Sequence, residues 1–329
     1  MPDLDVTVVG ELNLDLILYG LPEELEPERE LLANGLSLTL GSSSAIFAHN
    51  LATFGTRVGF ISRIGTDPLG EIALARLAEG GVDVSRVRKV SGSTSTGLSV
   101  ILPRARFRNI LTYAGTMFEM CFEDLDIDYL ASARHFNLSS FFLHRALRPR
   151  VLELLKRLKS AGLTISLDTN DDPEDRWESD FLEALRYADV FLPNAREAMK
   201  IAGVGDLDAA IEKLAALVPV LAVKLGPEGA LAQRGKERFT SPALNVDAVD
   251  PVGAGDSFDA GFIHQFVRGA DLPTCLYYGN LAGAFSTTRP GGTEAFRERD
   301  NLKAFLDRHG KPPGGGTPRG MQSPLKANS

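Results

Sequence analysis

Cysteine and tryptophan are scarce in this chain of 329 residues, which has one tryptophan and two cysteines, Cys121 and Cys275. The two cysteines stand in unrelated contexts, and the five histidines are scattered without a pair at metal-ligand spacing. This distribution argues against a zinc site built from cysteine and histidine. It favours a reducing compartment, and we expect a cytoplasmic protein.

Long apolar runs and an excess of positive charge are also missing. No apolar run reaches about 18 residues, so we expect no transmembrane helix. The first ten residues, MPDLDVTVVG, lack the basic stretch of a secretory signal. With 43 acidic against 35 basic residues, the formal net charge is -8. Such a balance disfavours general binding to nucleic acids or anionic membranes, and we expect neither as a partner.

Strand-like runs alternate with amphipathic helical segments along most of the chain. Apolar and β-branched runs predict strands at 6–10, 57–62, 135–139, 163–168, 189–194 and 218–226. Between them, residues at helical spacing predict helices that end near glycines such as Gly55 and Gly162. This alternation predicts an α/β fold of three layers, in which helices cover both faces of a mostly parallel sheet.

Two segments, residues 11–40 and 95–115, break this alternation. Polar and apolar residues alternate in them without a long helical pattern. They predict antiparallel strands of a small second sheet, which would cover an active site as a lid. We expect one domain over residues 1–310 and a flexible, glycine- and proline-rich tail over 311–329.

The stretch DPVGAGDSFDAGF, residues 250–262, carries the clearest chemical signal. Its glycines permit a tight turn in which N–H groups at a helix start converge on an anion. Asp256 would repel a phosphate, but it could take a proton from an attacking hydroxyl while the N–H groups hold the transferring phosphoryl group. Taken alone, the stretch fits a phosphoryl-transfer site and a helix capped by aspartate equally well. No P-loop and no G-x-G-x-x-G after a strand offers another phosphate site.

Together with the rest of the chain, this stretch resembles the C-terminal signature of the PfkB, or ribokinase-like, carbohydrate kinases. Other motifs similar to the family's occur in the same order: VVGELNLDLI, GSSSAIFAHNLATFGTRVGFISRIGTDPLGE, RNILTYAG, LPNAREA and VKLGPEGA. The resemblance implies a ribokinase-like fold with a small β-sheet lid. It also implies a kinase that moves the γ-phosphoryl group of ATP, with Mg²⁺, to a hydroxyl of a sugar or sugar-like molecule.

The resemblance further implies roles for individual residues. Asp256 would be the general base, next to a catalytic turn of Gly253, Ala254 and Gly255. The sugar would be bound by residues of the N-terminal motifs and the lid: Asn13, Asp15, Gly41, Ser42, Ser43 and Arg108. The nucleotide and its metal would be bound by Asn194, Glu197, Lys224, Gly226 and Asn280, with Asp250 beside a K⁺ site. A homodimer formed through the lids is also implied.

Several of these residues have a purely structural interpretation that stays open. Asn194 and Glu197 fit a helix capping box. Asn13 and Asp15 alternate with leucines, so they share one face of a strand, which could simply be its solvated face. Lys224, at the end of a predicted buried strand, could extend its ammonium group to the surface.

Two positions depart from the family pattern near the expected sugar site. Ser42 follows Gly41 where many relatives have a second glycine, and Ile46 stands where many have a sugar-binding asparagine. An isoleucine cannot hydrogen-bond a hydroxyl, so either the pocket is more apolar there or Ser43 and Ser44 supply the contact.

The RARFR run of the lid places Arg104, Arg106 and Arg108 at alternating positions, which predicts one face of a strand. Facing inward, they would clamp a carboxylate or phosphate of the substrate. Facing outward, they would form a charged edge that prevents aggregation.

Two other functions remain open at this point. A nucleoside kinase of the same fold would stack a base in an apolar pocket, for which Ile46, Phe47 and Phe107 or Tyr113 are candidates. A non-catalytic sugar sensor would use the same scaffold without the base. The acidic run at 168–180, which includes Asp168 and Asn170, matches no calcium loop and is interpreted as a solvated loop before a helix.

Overall fold

The central sheet determines where the candidate site lies. The structure, a computed structural model, describes residues 4–92, 94–104 and 108–310. The predicted tail at 311–329 and the candidate residues Arg106 and Phe107 lie outside the described residues.

Nine strands of the described chain form this sheet, in the order β13-β12-β11-β10-β9-β8-β1-β4-β5. They are β1 (Val6–Val9), β4 (Val58–Gly65), β5 (Asp83–Val90), β8 (His135–Leu138), β9 (Thr164–Leu167), β10 (Val190–Phe191), β11 (Val220–Lys224), β12 (Ala230–Arg234) and β13 (Glu237–Ser241). The pairs from β5 to β11 are parallel, and β12 and β13 add antiparallel partners at one edge. The predicted mostly parallel sheet is therefore confirmed.

Helices cover both faces of this sheet. In the described chain they are α1 (Ser43–Thr53), α2 (Pro68–Glu79), α3 (Ile127–Ala131), α4 (Val151–Ser160), α5 (Asp180–Leu185), α6 (Ala195–Ala202), α7 (Leu207–Ala215), α8 (Ala254–Phe266), α9 (Leu272–Ser286), α10 (Glu294–Arg297) and α11 (Arg299–His309). Alternate strand residues face opposite layers: Val9 packs with α4 to α7, whereas Val8 packs with α1, α2, α8 and α9. No described helix is long and apolar enough to cross a membrane.

The lid is a separate sheet of four strands in the order β3-β2-β6-β7. They are β2 (Leu14–Tyr19), β3 (Gly35–Leu40), β6 (Leu98–Pro103) and β7 (Arg108–Tyr113). The two outer pairs are antiparallel, as predicted, but β2 and β6 pair in parallel. The expectation of a wholly antiparallel lid was wrong here, because β2 and β6 each leave the central sheet in the same direction and meet side by side.

Candidate active site

The candidate site is a cleft between the lid and the carboxyl ends of the parallel strands. Open α/β sheets bind their ligands at this edge, where the strand order reverses. The cleft has a volume of about 160 Å³, which suits a small polar molecule. Lining residues from the lid strands are Asp15, Ser99, Ile101, Arg108, Ile110 and Thr112, and from the rest of the chain Glu11, Asn13, Ser42, Ser43, Ile46, Met117, Leu143, Asn170, Val252, Gly253 and Asp256.

Asp256 lies in the first turn of α8 and lines the cleft. Gly253 precedes this helix with φ 73°, and a Cβ on it would lie 2.4 Å from Cα of Gly292, so only glycine fits. No described group accepts a hydrogen bond from the backbone N–H of Gly255 or Asp256. These two donors therefore remain available at the positive end of a 13-residue helix.

The carboxyl group of Asp256 has an unusual environment for an aspartate. Desolvation, with Asp168 and Glu11 nearby, raises its pKa to about 6, against the opposing effects of Lys224 and the Ser43 hydroxyl. A carboxylate with a pKa near this value is ionised at neutral pH yet basic enough to accept a proton. This environment suits a general base.

Asn13 and Asp15 are buried in the cleft rather than on a solvated face, being 2% and 6% exposed. Burial, followed by the charge of Asp256, raises the pKa of Asp15 to about 7. The side-chain oxygen Oδ1 of Asn13 is buried without a hydrogen-bond partner among the described residues. Gly41 makes room for this pair, since a Cβ on it would lie 2.3 Å from Oδ1 of Asp15. An unpartnered buried acceptor at this point is what a ligand hydroxyl would satisfy.

Lys224 ends β11 with its side chain buried beneath the α8 turn. Its Nζ lies 3.0 Å from Oδ2 of Asp259 and 3.3 Å from Oδ2 of Asp168. These carboxylates outweigh desolvation and raise the pKa of Lys224, so it is a permanent cation. A Cβ on Gly255 would lie 3.7 Å from Nζ, which places the charge directly below the candidate anion-binding turn. The alternative of an ammonium group extended to the surface was wrong.

Asn194 and Glu197 form the capping box at the start of α6. The N–H of Glu197 donates to Oδ1 of Asn194 at 2.9 Å, and Oε2 of Glu197 accepts from the N–H of Asn194 at 2.9 Å. Burial raises the pKa of Glu197 to about 8, with Asp168 contributing. Because both oxygens of Glu197 accept hydrogen bonds from Asn194, this carboxylate fits an action on a metal through water better than direct ligation.

Asp250 is buried beside the α8 turn and connects it to the lid. One oxygen accepts from the N–H of Val252 at 2.9 Å. The other accepts from the Tyr19 hydroxyl at 2.9 Å and from the N–H of Gly291 at 3.0 Å.

Among the described residues, no cluster of three or more histidine, cysteine, aspartate or glutamate side chains could hold a metal ion. Asp250 and Glu197 thus act as hydrogen-bonding centres in different parts of the site.

Comparison with known proteins decides the family. The model of the pfkB family carbohydrate kinases matches residues 3–299. The chain belongs to the pfkB family. The predicted family, fold and enzyme class, an ATP-dependent carbohydrate kinase, are thereby confirmed.

Three relatives illustrate the likeness. An ATP-dependent ribose-1-phosphate kinase from Halopiger xanaduensis is 31% identical, over 92% of this chain and 97% of its own. A 2-dehydro-3-deoxygluconokinase from Bacillus subtilis is 29% identical, over 81% of this chain and 86% of its own. The crystal structure of a putative ribokinase II from E. coli in complex with ATP and Mg²⁺ has a TM-score of 0.79 and 26% identity, and covers 93% of this chain and 99% of that one.

Glu11 is a site residue of this carbohydrate kinase that sequence reasoning missed. It lies two residues after the end of β1 and is 2% exposed. Its carboxylate accepts from the hydroxyls of Ser44 at 2.8 Å and Ser140 at 2.7 Å, and its backbone oxygen accepts from Ser42. Ser42 and Ser140 have φ 61° and 54°, so Glu11 holds two strained serines at the wall of the cleft. Its position just after a buried strand was the available signal.

The acidic run of the kinase was assigned wrongly at its start. Asp168 and Thr169 are 3% and 0% exposed, so this part is not a solvated loop. Asp168 is buried because Lys224 compensates its charge. Asn170, with φ 51°, lines the cleft.

The prediction that Arg104, Arg106 and Arg108 share a strand was also wrong. Strand β6 ends at Pro103, which pairs with Arg108 at the start of β7. Arg104 therefore lies beyond the strand end, where it donates to the backbone oxygen of Glu23 at 2.6 Å. Arg108 alone of the described arginines lines the cleft.

Other candidate residues of the kinase lie outside the cleft. Asn280 on α9 donates to the backbone oxygens of Ser241 and Pro242, and Gly226 occupies an exposed turn after β11. Phe47 is fully buried in the core, and Tyr113 is on the outer face of the lid. Ile46 lines the cleft together with Ser43, so both alternatives for this wall stay open, and no described aromatic side chain lines the cleft. Base stacking by a nucleoside therefore finds no support among the described residues.

Proposed function

We propose that this kinase transfers the γ-phosphoryl group of ATP to a hydroxyl of a sugar-like acceptor bound under the lid, with Asp256 as the general base. One observation carries the proposal. The Asp256 carboxylate shares a cleft with Asn13 and Asp15, and it adjoins the two free N–H donors of the α8 turn. The base, the acceptor contacts and the anion-binding turn thus meet at one point.

In this mechanism Asn13 and Asp15 orient the acceptor by hydrogen bonds to hydroxyls other than the reacting one. Asp256 takes the proton of the reacting hydroxyl while the oxygen of that hydroxyl forms a bond to the γ-phosphorus. The bond between that phosphorus and the β,γ-bridging oxygen breaks, and ADP leaves with the electron pair. The N–H groups of Gly255 and Asp256 stabilise the charge on the phosphoryl oxygens in the transition state.

The nucleotide would lie above Lys224, and its phosphates would approach the α8 turn. The structure of the E. coli relative, described as a complex with ATP and Mg²⁺, supports the proposal that this kinase binds the same two ligands. Bound Mg²⁺ supplies charge neutralisation on the phosphate oxygens. Glu197 and Asn194 would hold it through water, consistent with the capping bonds that occupy the Glu197 oxygens. Gly226 and Asn280, outside the cleft, would serve only the remote part of the nucleotide.

We propose a K⁺ site near Asp250, as the family resemblance implies. Three hydrogen bonds already use the Asp250 carboxylate, so the cation would be held mainly by backbone carbonyls around it. Replacing K⁺ by a bulky organic cation such as tetramethylammonium in the assay should lower kcat. Equal kcat values in the two salts would exclude the proposed K⁺ site.

The lid would exclude water from the transfer and thereby limit hydrolysis of ATP. Its outer face also supports the proposed homodimer. Directly paired residues place Leu36, Leu111 and Tyr113 on that face, and they are 67%, 59% and 56% exposed. A Leu111→Glu variant should run as a monomer in size-exclusion chromatography with light scattering. A wild-type chain that is already monomeric would refute the dimer.

The proposal is tested by ADP release with ATP, Mg²⁺ and K⁺ against a panel of sugars, sugar acids, sugar phosphates and nucleosides. We expect turnover with one sugar class and a loss of about 10²- to 10⁴-fold in kcat for Asp256→Asn. Near-normal turnover of that variant would exclude Asp256 as the base. Ligand binding by thermal shift without turnover of any acceptor would instead favour a non-catalytic sensor.

A further inference from the structure

The position of Arg108 in the cleft bears on which acceptor the kinase uses. Arg108 begins β7, and its side chain lines the cleft together with those of Ile110 and Thr112, two and four residues further along. The three alternate along the strand, so they share the inner face of the lid. Arg108 is an exposed residue that lies on the lid face over the cleft rather than on the outer lid face.

Arg108 has no ion-pair partner among the residues that the structure describes. By contrast, Arg145 and Arg148 pair with Glu174, Glu178 and Asp180. A guanidinium group has five N–H donors in a planar fork that matches a carboxylate or phosphate. The donors of Arg108 are thus free for a ligand.

The charges in the cleft are unevenly distributed. Among its described lining residues Arg108 is the one cation, and the acids are Glu11, Asp15 and Asp256. Glu11 is enclosed by the hydroxyls of Ser44 and Ser140 and does not compete for a ligand cation or donor. Burial and the charge of Asp256 raise the pKa of Asp15, and the positive charge of Arg108 opposes that rise. One end of the cleft is basic, and the other holds the proposed catalytic base.

Directly paired residues of neighbouring lid strands form rows across the lid, here called rungs. The order of these rungs gives the order of contacts along the acceptor. Asp15, Ser99 and Thr112 form a polar rung, with 3.0 Å between the hydroxyls of Ser99 and Thr112. Ile17, Ile101 and Ile110 form the next rung, and Arg108 follows. Rungs two residues apart are separated by about 7 Å, so Arg108 starts about 13 Å beyond the polar rung, a gap that its long side chain shortens. This sequence of hydroxyl-binding, apolar and cationic contacts matches an elongated acceptor with an anion at one end.

We propose that Arg108 determines acceptor specificity and that the acceptor is a sugar with a carboxylate or phosphate group remote from the hydroxyl that is phosphorylated. This inference rests on the proposed kinase function and specifies its substrate class. The anion would accept a bidentate pair of hydrogen bonds from Arg108, while Asp15 and Asn13 bind hydroxyls nearer Asp256.

The test compares wild type, Arg108→Gln, Arg108→Lys and the control Arg186→Gln. Arg186 is an exposed arginine at the end of α5, away from the cleft. The acceptors are D-ribose, ribose 1-phosphate and a 2-dehydro-3-deoxy sugar acid, which separate the neutral, phosphate and carboxylate cases. For the preferred anionic acceptor, Arg108→Gln should lower kcat/KM by about 10- to 100-fold, mainly through KM. Arg108→Lys should retain part of the activity, and Arg186→Gln should match wild type.

Two results would overturn the inference while leaving the kinase function intact. One is a wild-type enzyme that prefers the neutral sugar and is unaffected by Arg108→Gln. The other is a defect of Arg108→Gln confined to KM for ATP, which would assign the arginine to the nucleotide. If no acceptor is phosphorylated, the proposed function fails instead. Calorimetric binding of the two anionic sugars without ATP then decides: binding that Arg108→Gln abolishes supports the inference, and unchanged or absent binding overturns it.

Discussion

The ammonium nitrogen of Lys224 lies 3.0 Å from the carboxylate of Asp259, one helical turn after Asp256 on α8. The Asp259 side chain is buried and that of Lys224 is 12% exposed, and the buried Asp168 is a second partner of the cation. Removing one member of a buried ion pair leaves its partner uncompensated. We therefore expect Lys224→Met to lower the free energy of unfolding by about 3–5 kcal/mol, measured by urea denaturation.

Asp259→Asn is the matched control for this prediction. It keeps an oxygen acceptor beside Lys224 and leaves Asp168 as the charged partner. It should cost clearly less than Lys224→Met. A Lys224→Met protein as stable as wild type would mean that the buried cluster contributes nothing net to folding.

The pH dependence of turnover follows from the environment of Asp256. Its pKa is raised to about 6, and only the ionised form can accept the acceptor's proton. We expect kcat/KM for the acceptor, which reports the ionisation of the free enzyme, to be constant above about pH 7 and to fall about tenfold per pH unit below about pH 5. The measurement is a pH profile of ADP release. A profile that stays flat down to pH 4 would conflict with Asp256 as the titrating base.

The buried charge of Asp15 should lower the free energy of unfolding at neutral pH. Its pKa is raised from 3.8 to about 7 by burial, so the folded state binds this proton more tightly than the unfolded chain. The stabilisation that the bound proton gives to the folded state is therefore lost as the pH rises from about 4 to about 7. Asp15→Asn should be more stable than wild type by about 1–4 kcal/mol at pH 8, although inactive.

The comparison at acid pH serves as the control for Asp15→Asn. At about pH 4 the folded aspartate is fully protonated and the unfolded one is about half protonated, so the stability difference should largely disappear. Urea denaturation at the two pH values gives both numbers. A variant less stable than wild type at pH 8 would show that the Ser99 hydrogen bond outweighs the burial of the charge.

The two glycines of the α8 turn should respond differently to substitution. A Cβ on Gly255 would make only ordinary contacts, the nearest at 3.7 Å, but it would crowd the free N–H groups. Gly255→Val should therefore lower kcat by at least about tenfold with little loss of stability, whereas Gly253→Ala should also destabilise the fold. Thermal melts beside ADP-release assays separate the two effects. Equal melting-point losses would contradict the distinction.

Local periodicity and motif order were sufficient to predict the layered fold and the residues that follow single strands. Asn13 and Asp15 were placed on one strand face, and Asn194 and Glu197 at a helix start, because these arrangements depend on neighbouring residues alone. The same holds for Gly253 and Asp256, since a turn into a helix is a local feature.

Long-range contacts could not be predicted from the sequence. Asp168 appeared solvated because its partner Lys224 is 56 residues away, and burial of the carboxylate depends on that pair. Glu11 showed no motif of its own, since its serine partners come from the first turn of α1 and from the segment after β8. The RARFR run alternates like a strand, but a reversal between β6 and β7 interrupts it.

The parallel pairing of β2 with β6 restricts how this lid can change by recombination. Its strands come from two segments of the chain, β2–β3 and β6–β7, which are separated by α1, β4, α2 and β5. Exchange of either segment alone would bring together strand edges that had not been selected to match. A chimaera with the lid of another kinase would therefore need both segments exchanged together, through four crossovers, with the register of Leu14 and Leu98 preserved.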